Sequence, residues 1–154
     1  MSKPELEFFD SGQVGWEADP RAIPGLFMKV LSRDEATGDF SSMQRLDPGC
    51  DMRAAGVQTH PFWEEVYIVS GSLVDLTLNQ EFAAGHYACR PPGMPHGPFI
   101  SQAGCITFQV CYHSGAAAGA GTRSPKLDMG RPPSWSTDWS PGPGPLRSAG
   151  ARRS

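Results

Sequence analysis

No stretch of this chain approaches the ~20 consecutive apolar residues of a membrane-spanning helix. Its first residues, Met1-Ser2-Lys3-Pro4-Glu5-Leu6-Glu7, put proline and acids where a signal peptide needs an apolar run. The expectation is a cytoplasmic protein with no membrane partner. Positive charge is also scarce: 13 Lys and Arg stand against 16 Asp and Glu, a net charge of −3. Nucleic acid or an anionic membrane would favour a basic face, so neither is expected as a partner. With no P-loop and no G-x-G-x-x-G, nucleotide binding has no support. The four cysteines, Cys50, Cys89, Cys105 and Cys111, form no Cys-x2-Cys pair. Without a secretory context they read as buried thiols rather than disulfides. No Ser/His/Asp or Cys/His triad can be placed either.

Also missing is any long apolar pattern of helical period. Short β-rich runs separated by Gly and Pro turns take its place. Leu26 to Ser32 and Phe40 to Leu46 read as strands joined by a hairpin connection at Asp34 to Asp39, and Asp47-Pro48-Gly49 turns the chain. A run from Glu65 to Val69 ends at Ser70-Gly71. Leu73 to Leu78 alternates Val74, Leu76 and Leu78 with Asp75 and Thr77, as a half-buried strand should, before a turn at Asn79-Gln80. Tyr87 to Arg90 and Ile106 to Tyr112 complete the set. This pattern predicts an all-β sandwich or barrel, and 154 residues suit one domain burying roughly two thirds of its unfolded surface. The expected organisation is a flexible N-terminal arm over 1–13, a barrel over 14–114 and a disordered tail over 115–154. That tail is dominated by Gly, Pro, Ser and Arg, with Pro141-Gly142-Pro143-Gly144-Pro145 unable to hold a sheet ladder. Trp135 and Trp139 are its exceptions and read as mobile.

What is present in compensation is a concentrated set of metal-ligand chemistry between Gln58 and His96. Imidazole nitrogens and a carboxylate oxygen bind a divalent ion at about 2.0 to 2.2 Å, and an amide oxygen can add a weaker donor. Gln58 and His60 share one face if the chain there is extended, and Glu64 follows after a turn begun by Pro61. His96 comes after Pro91-Pro92-Gly93, where two fixed φ angles and a permissive glycine can swing it back over the sheet. Gln58, His60, Glu64 and His96 are therefore the candidate metal ligands. Glu65 misses the spacing to Gly71 and is expected to face away. His86 and His113 lie outside the cluster and read as surface or loop histidines. Phe62, Trp63, Phe99 and Tyr112 are candidates to line an apolar substrate pocket, although a small β core uses such aromatics equally well.

The spacing reads H-x3-E-x6-G, from His60 through Glu64 to Gly71, then G-x5-P-x-G-x2-H, from Gly85 through Pro91 and Gly93 to His96. In this form the chain resembles the cupin superfamily, whose two motifs have that shape. Gln58 stands where the usual first motif has its first histidine, and Ile100 stands where the second often closes on asparagine. Within the superfamily, residues 47–110 look most like the cupin domain of ChrR-type anti-sigma factors, through His60-Pro61, Glu64-Glu65, Arg90-Pro91-Pro92-Gly93, His96 and Gly104-Cys105. The resemblance implies a jelly-roll-type antiparallel barrel. It also implies a homodimer in which the early strands extend a sheet or exchange between protomers.

Two histidines and one carboxylate with open positions are the ligand chemistry of mononuclear non-haem Fe(II) oxygenases. The leading expectation is one divalent ion per chain, Fe(II) favoured over Zn(II), Mn(II) or Ni(II), in a dioxygenase that takes O2 and a small enol, diketone or phenolic substrate. A redox-neutral lyase, isomerase or cyclase, with the metal as Lewis acid, is the first alternative. A non-catalytic zinc-binding or sensor module of the ChrR type is the second. Residues 1–45 contain no His or Cys for a separate zinc-binding anti-sigma domain, which counts against it.

Overall fold

A computed structural model describes residues 3–113. The expected tail over 115–154, with Trp135 and Trp139, lies outside the described residues. Among the described residues, nine strands form one curled antiparallel sheet with almost no helix, in the order β1-β2-β3-β9-β5-β8-β4, with β6 and β7 also paired to β5. The strands are β1 Glu17–Ala18, β2 Leu26–Arg33, β3 Phe40–Leu46, β4 Cys50–Asp51, β5 Trp63–Asp75, β6 Gln80–Ala83, β7 Tyr87–Arg90, β8 Phe99–Ser101 and β9 Cys105–Tyr112. No helix among the described residues is long and apolar enough to cross a membrane.

The organising strand is β5. Its first half pairs with β7 on one edge and β9 on the other, so Glu64 stands between Arg90 and Cys111. Its second half pairs with β6 and β8, so Val74 stands between Glu81 and Ile100. Period-two alternation buries Glu64, Val66 and Ile68 on the concave side and leaves Trp63, Glu65 and Tyr67 on the outer one. The sequence pattern ends this strand at Ser70-Gly71, yet the strand runs through, with a register shift against β9 between Ile68 and Ser70. Gly71 has φ +72°, and a Cβ there would collide with the carbonyl oxygen of Gly104. The motif glycine therefore lets two backbones approach without breaking the strand.

The expected strand from Leu73 to Leu78 stops at Asp75, and its alternation is inverted. Asp75 is buried while Leu78 is 62% exposed. Asp75 accepts hydrogen bonds from the backbone N–H groups of Thr77 and Leu78 at 2.9 and 3.1 Å, and it ends the strand in a turn. A carboxylate supplied with local backbone donors can be buried, which simple hydrophobic alternation does not anticipate. The core gathers Leu26, Leu46, Met52, Ile68 and Phe99 with Cys50 and Cys105. Cys111 is also buried, but Cys89 lies on the exposed face of edge strand β7, so the expectation of four buried thiols fails at that position. At the N-terminus, residues 3–10 are exposed, and Ser11–Gln13 form a short 3-10 turn whose Ser11 carbonyl accepts from Lys29 Nζ at 2.6 Å.

Candidate metal centre

His60, Glu64 and His96 converge: one donor atom from each lies within 4.8 Å of the others. His60 Nε2 is 3.8 Å from Glu64 Oε1, and His96 Nε2 is 3.5 Å from Glu64 Oε2. Donors bound to one ion at about 2.0 to 2.2 Å sit about 3 to 4 Å from one another, so this set fits a single divalent ion. No other group of three His, Cys, Asp or Glu side chains among the described residues converges in this way.

Each ligand reaches the site by a different local device. Alternation along β5 brings Glu64 inward. Gly93, at φ +80°, donates its N–H to the His60 carbonyl at 2.8 Å and so ties the Pro91–Gly93 bend to the His60 segment. Gln58 and His96 then exchange both backbone hydrogen bonds, at 2.9 and 3.1 Å, which places the two side chains opposite each other. His96 Nδ1 lies 3.1 Å from the Met94 carbonyl, a contact that directs Nε2 to the carboxylate. His60 stacks on Phe62 with ring centroids 4.9 Å apart and planes 2° apart. Burial, resisted by Glu64 and aided by His96, Arg21 and Arg90, lowers the pKa of His60, favouring the neutral imidazole a metal needs.

Two arginines that the spacing analysis did not single out flank the cluster. Arg90, across the ladder from Glu64, donates from Nη1 to Glu64 Oε2 at 2.7 Å. That contact engages Oε2 and leaves Oε1 facing His60. Arg21 is clamped by Asp19 through Nε at 2.7 Å and Nη2 at 2.8 Å. Its Nη1 donates to the amide oxygen of Gln58. Gln58 thus adjoins the cluster, with its oxygen engaged by Arg21 and its backbone clasping His96. Cys111, beside Glu64 in the ladder, is held at about 12, first by burial and then by the nearby carboxylate, so its thiol stays protonated.

The aromatic candidates separate. Phe99 lines both cavities that adjoin the cluster. Trp63 and Tyr112 stack on each other on the outer face of β5 and β9, away from both, and Phe62 packs on His60, Phe40 and His113. Glu65 faces outward and accepts from the hydroxyls of Tyr87 and Tyr112, each at 2.8 Å. His113 pairs with Asp39 at 2.8 Å, whereas His86, read from the sequence as a surface or loop histidine, is exposed at the rim of the larger cavity.

Residues 5–114 match the family model described as the ChrR cupin-like domain. No curated protein matches the chain. Among solved structures it resembles an RmlC-like cupin from Shewanella frigidimarina NCIMB 400, 19% identical, with a TM-score of 0.58 over 75% of this chain and 97% of that one. It also resembles an acetylacetone dioxygenase from Acinetobacter johnsonii, 13% identical, with a TM-score of 0.57 over 71% of this chain and 74% of that one. A third is the polyketide cyclase RemF from Streptomyces resistomycificus, 19% identical, with a TM-score of 0.56 over 71% and 81%. At these identities the likeness establishes the fold.

Proposed function

The chain belongs to the ChrR cupin-like domain family, and from that premise we propose that it is a mononuclear metal-dependent enzyme, a dioxygenase acting on a small enol, diketone or phenolic compound. The observation that carries this reading is the convergence of two imidazoles and one carboxylate, a set that leaves coordination positions open on a divalent ion. A bound Fe(II) would supply O2 activation and an anchor for substrate oxygens.

The protein's own side chains do the rest. His60 and His96 present imidazole nitrogens, and Glu64 presents Oε1 while Arg90 holds Oε2 in place. Arg90 and Arg21 offset the charges of Glu64 and Asp19, and the spare donors of Arg90 favour a substrate in its anionic, enolate form. Phe99 and Val66 give the cavities beside the cluster apolar walls. Similarity to an acetylacetone dioxygenase supports the substrate class.

The ChrR-type family match favours a second reading, a non-catalytic metal module, and the cyclase neighbour supports redox-neutral chemistry. Oxygen uptake separates the three. Fe(II)-loaded protein given a panel of diketones, enols and catechols should consume O2 in proportion to substrate lost, and Zn(II)-loaded protein should not. Substrate turnover without O2 uptake would favour the redox-neutral enzyme. Full metal occupancy with no turnover of any compound would favour the non-catalytic module.

A further inference from the structure

Among the described residues, two cavities that adjoin the metal cluster differ in size and character. The smaller, about 50 Å³, holds Glu64, Gln58 and Arg21 against a polar wall of Gln44, Thr107 and Gln109. The larger, about 350 Å³, opens between β7, β6 and the 94–99 segment. Both are bounded by Arg90, His96, Phe99, Val66 and Leu73, so these residues lie where the two meet. A volume of 50 Å³ admits little more than a few heavy atoms, whereas 350 Å³ lies within the usual range for small-molecule sites.

The larger cavity is chemically one-sided. Its floor is Val66, Ile68 and Phe99, all buried, and its rim carries Leu78 and Met94, 62% and 44% exposed. Most of its polar lining is already engaged within the protein. Asp75 accepts from the backbone of Thr77 and Leu78, Thr77 Oγ1 donates to the Gly97 carbonyl at 2.6 Å, and His86 Nδ1 contacts the Ala83 carbonyl at 2.8 Å. Arg90, beside the metal cluster, is engaged only in part. Among the described residues its side-chain hydrogen bonding is confined to Nη1 on Glu64, which leaves the donors on Nε and Nη2 for another acceptor. Its guanidinium is held over Phe99, 5.5 Å from the ring centroid.

We propose that the larger cavity seats the apolar body of the substrate while Arg90 takes its oxyanion beside the metal cluster. The substrates are then enolates bearing an aryl or extended alkyl group rather than bare chelators. This rests on the metal-site reading above and specifies its substrate class. It also accounts for the exposed Leu78 and Met94, which would form the apolar lip through which such a group enters.

The test is calorimetric titration of full-length, Co(II)-saturated protein with acetylacetone and with benzoylacetone, which differ by a phenyl in place of a methyl. Benzoylacetone should bind at least about tenfold more tightly, because the phenyl adds buried apolar area. Ala88→Phe, which fills the cavity from the position across the ladder from Val66, should bring the ratio towards one. Leu78→Asp, at an exposed rim position, provides a second variant and should also reduce the ratio. Arg90→Met, compared per bound Co(II) so that its weaker metal binding does not enter, should weaken both ligands while preserving the ratio, and equal binding per bound Co(II) with and without Arg90 would remove the oxyanion seat. Equal affinities in the unmodified protein, or a ratio that neither cavity substitution moves, would overturn the inference while leaving the metal site standing. A chain that binds no Co(II) would overturn both.

Discussion

Arg90 stands directly across the β5–β7 ladder from Glu64 and donates to its carboxylate at 2.7 Å, with the Arg90 side chain 15% and the Glu64 side chain 11% exposed. A buried carboxylate left without that partner is costly, and one free to rotate no longer presents a fixed oxygen to an ion. Outer partners of metal ligands typically contribute roughly 10- to 100-fold in affinity, so Arg90→Met should weaken metal binding by about that factor. Arg90→Lys should recover part of the loss. Competition titrations with a coloured chelator would measure both, and unchanged affinity in Arg90→Met would remove Arg90 from the metal-holding arrangement.

Gly71→Ala should destabilise the fold by roughly 3 kcal/mol or more, since the added methyl meets the Gly104 backbone at a φ that suits glycine. Thermal melts decide it. A midpoint within a few degrees of the parent would show that the two strands can move apart cheaply.

The thiols should divide by burial. Cys105 is held at about 11 and Cys111 at about 12, both first by burial, and burial also raises Cys50. Iodoacetamide near pH 8 should therefore alkylate Cys89 alone in the folded protein, and all four after denaturation, as read by peptide mass mapping. Rapid labelling of Cys111 would mean that the Glu64 side of the barrel opens to reagent.

Gln58→His should tighten metal binding if the amide oxygen coordinates, because imidazole is the better donor to Fe, Ni and Zn. In a catalytic site the same change should lower turnover by completing the ligand set. Unchanged affinity would leave Gln58 as Arg21's acceptor and His96's backbone partner, with no place on the ion.

The metal cluster was legible because its spacing is local to each motif: His60, Glu64 and Gly71 fall along one stretch, and Pro91, Gly93 and His96 along another. The early strands were legible from β-rich runs between turn residues. Arg90 was not, because its pairing with Glu64 depends on strand register between residues far apart in the chain. The contact between Arg21 and Gln58 was hidden for the same reason. Asp75 misled because backbone donors, invisible to hydropathy, satisfy a buried carboxylate. Trp63 and Tyr112 misled because aromatic character alone does not say which face of a strand a residue occupies; the inward position of Glu64 puts its neighbour Trp63 outside.

The central claim, that His60, Glu64 and His96 hold one divalent ion, is tested most directly by metal stoichiometry after saturation and removal of free ion. The unmodified chain should retain one equivalent, His96→Ala should retain almost none, and Glu65→Ala, altered on the outer face, should retain the full equivalent. A His96→Ala protein that kept its metal, or equal losses in His96→Ala and Glu65→Ala, would contradict the account.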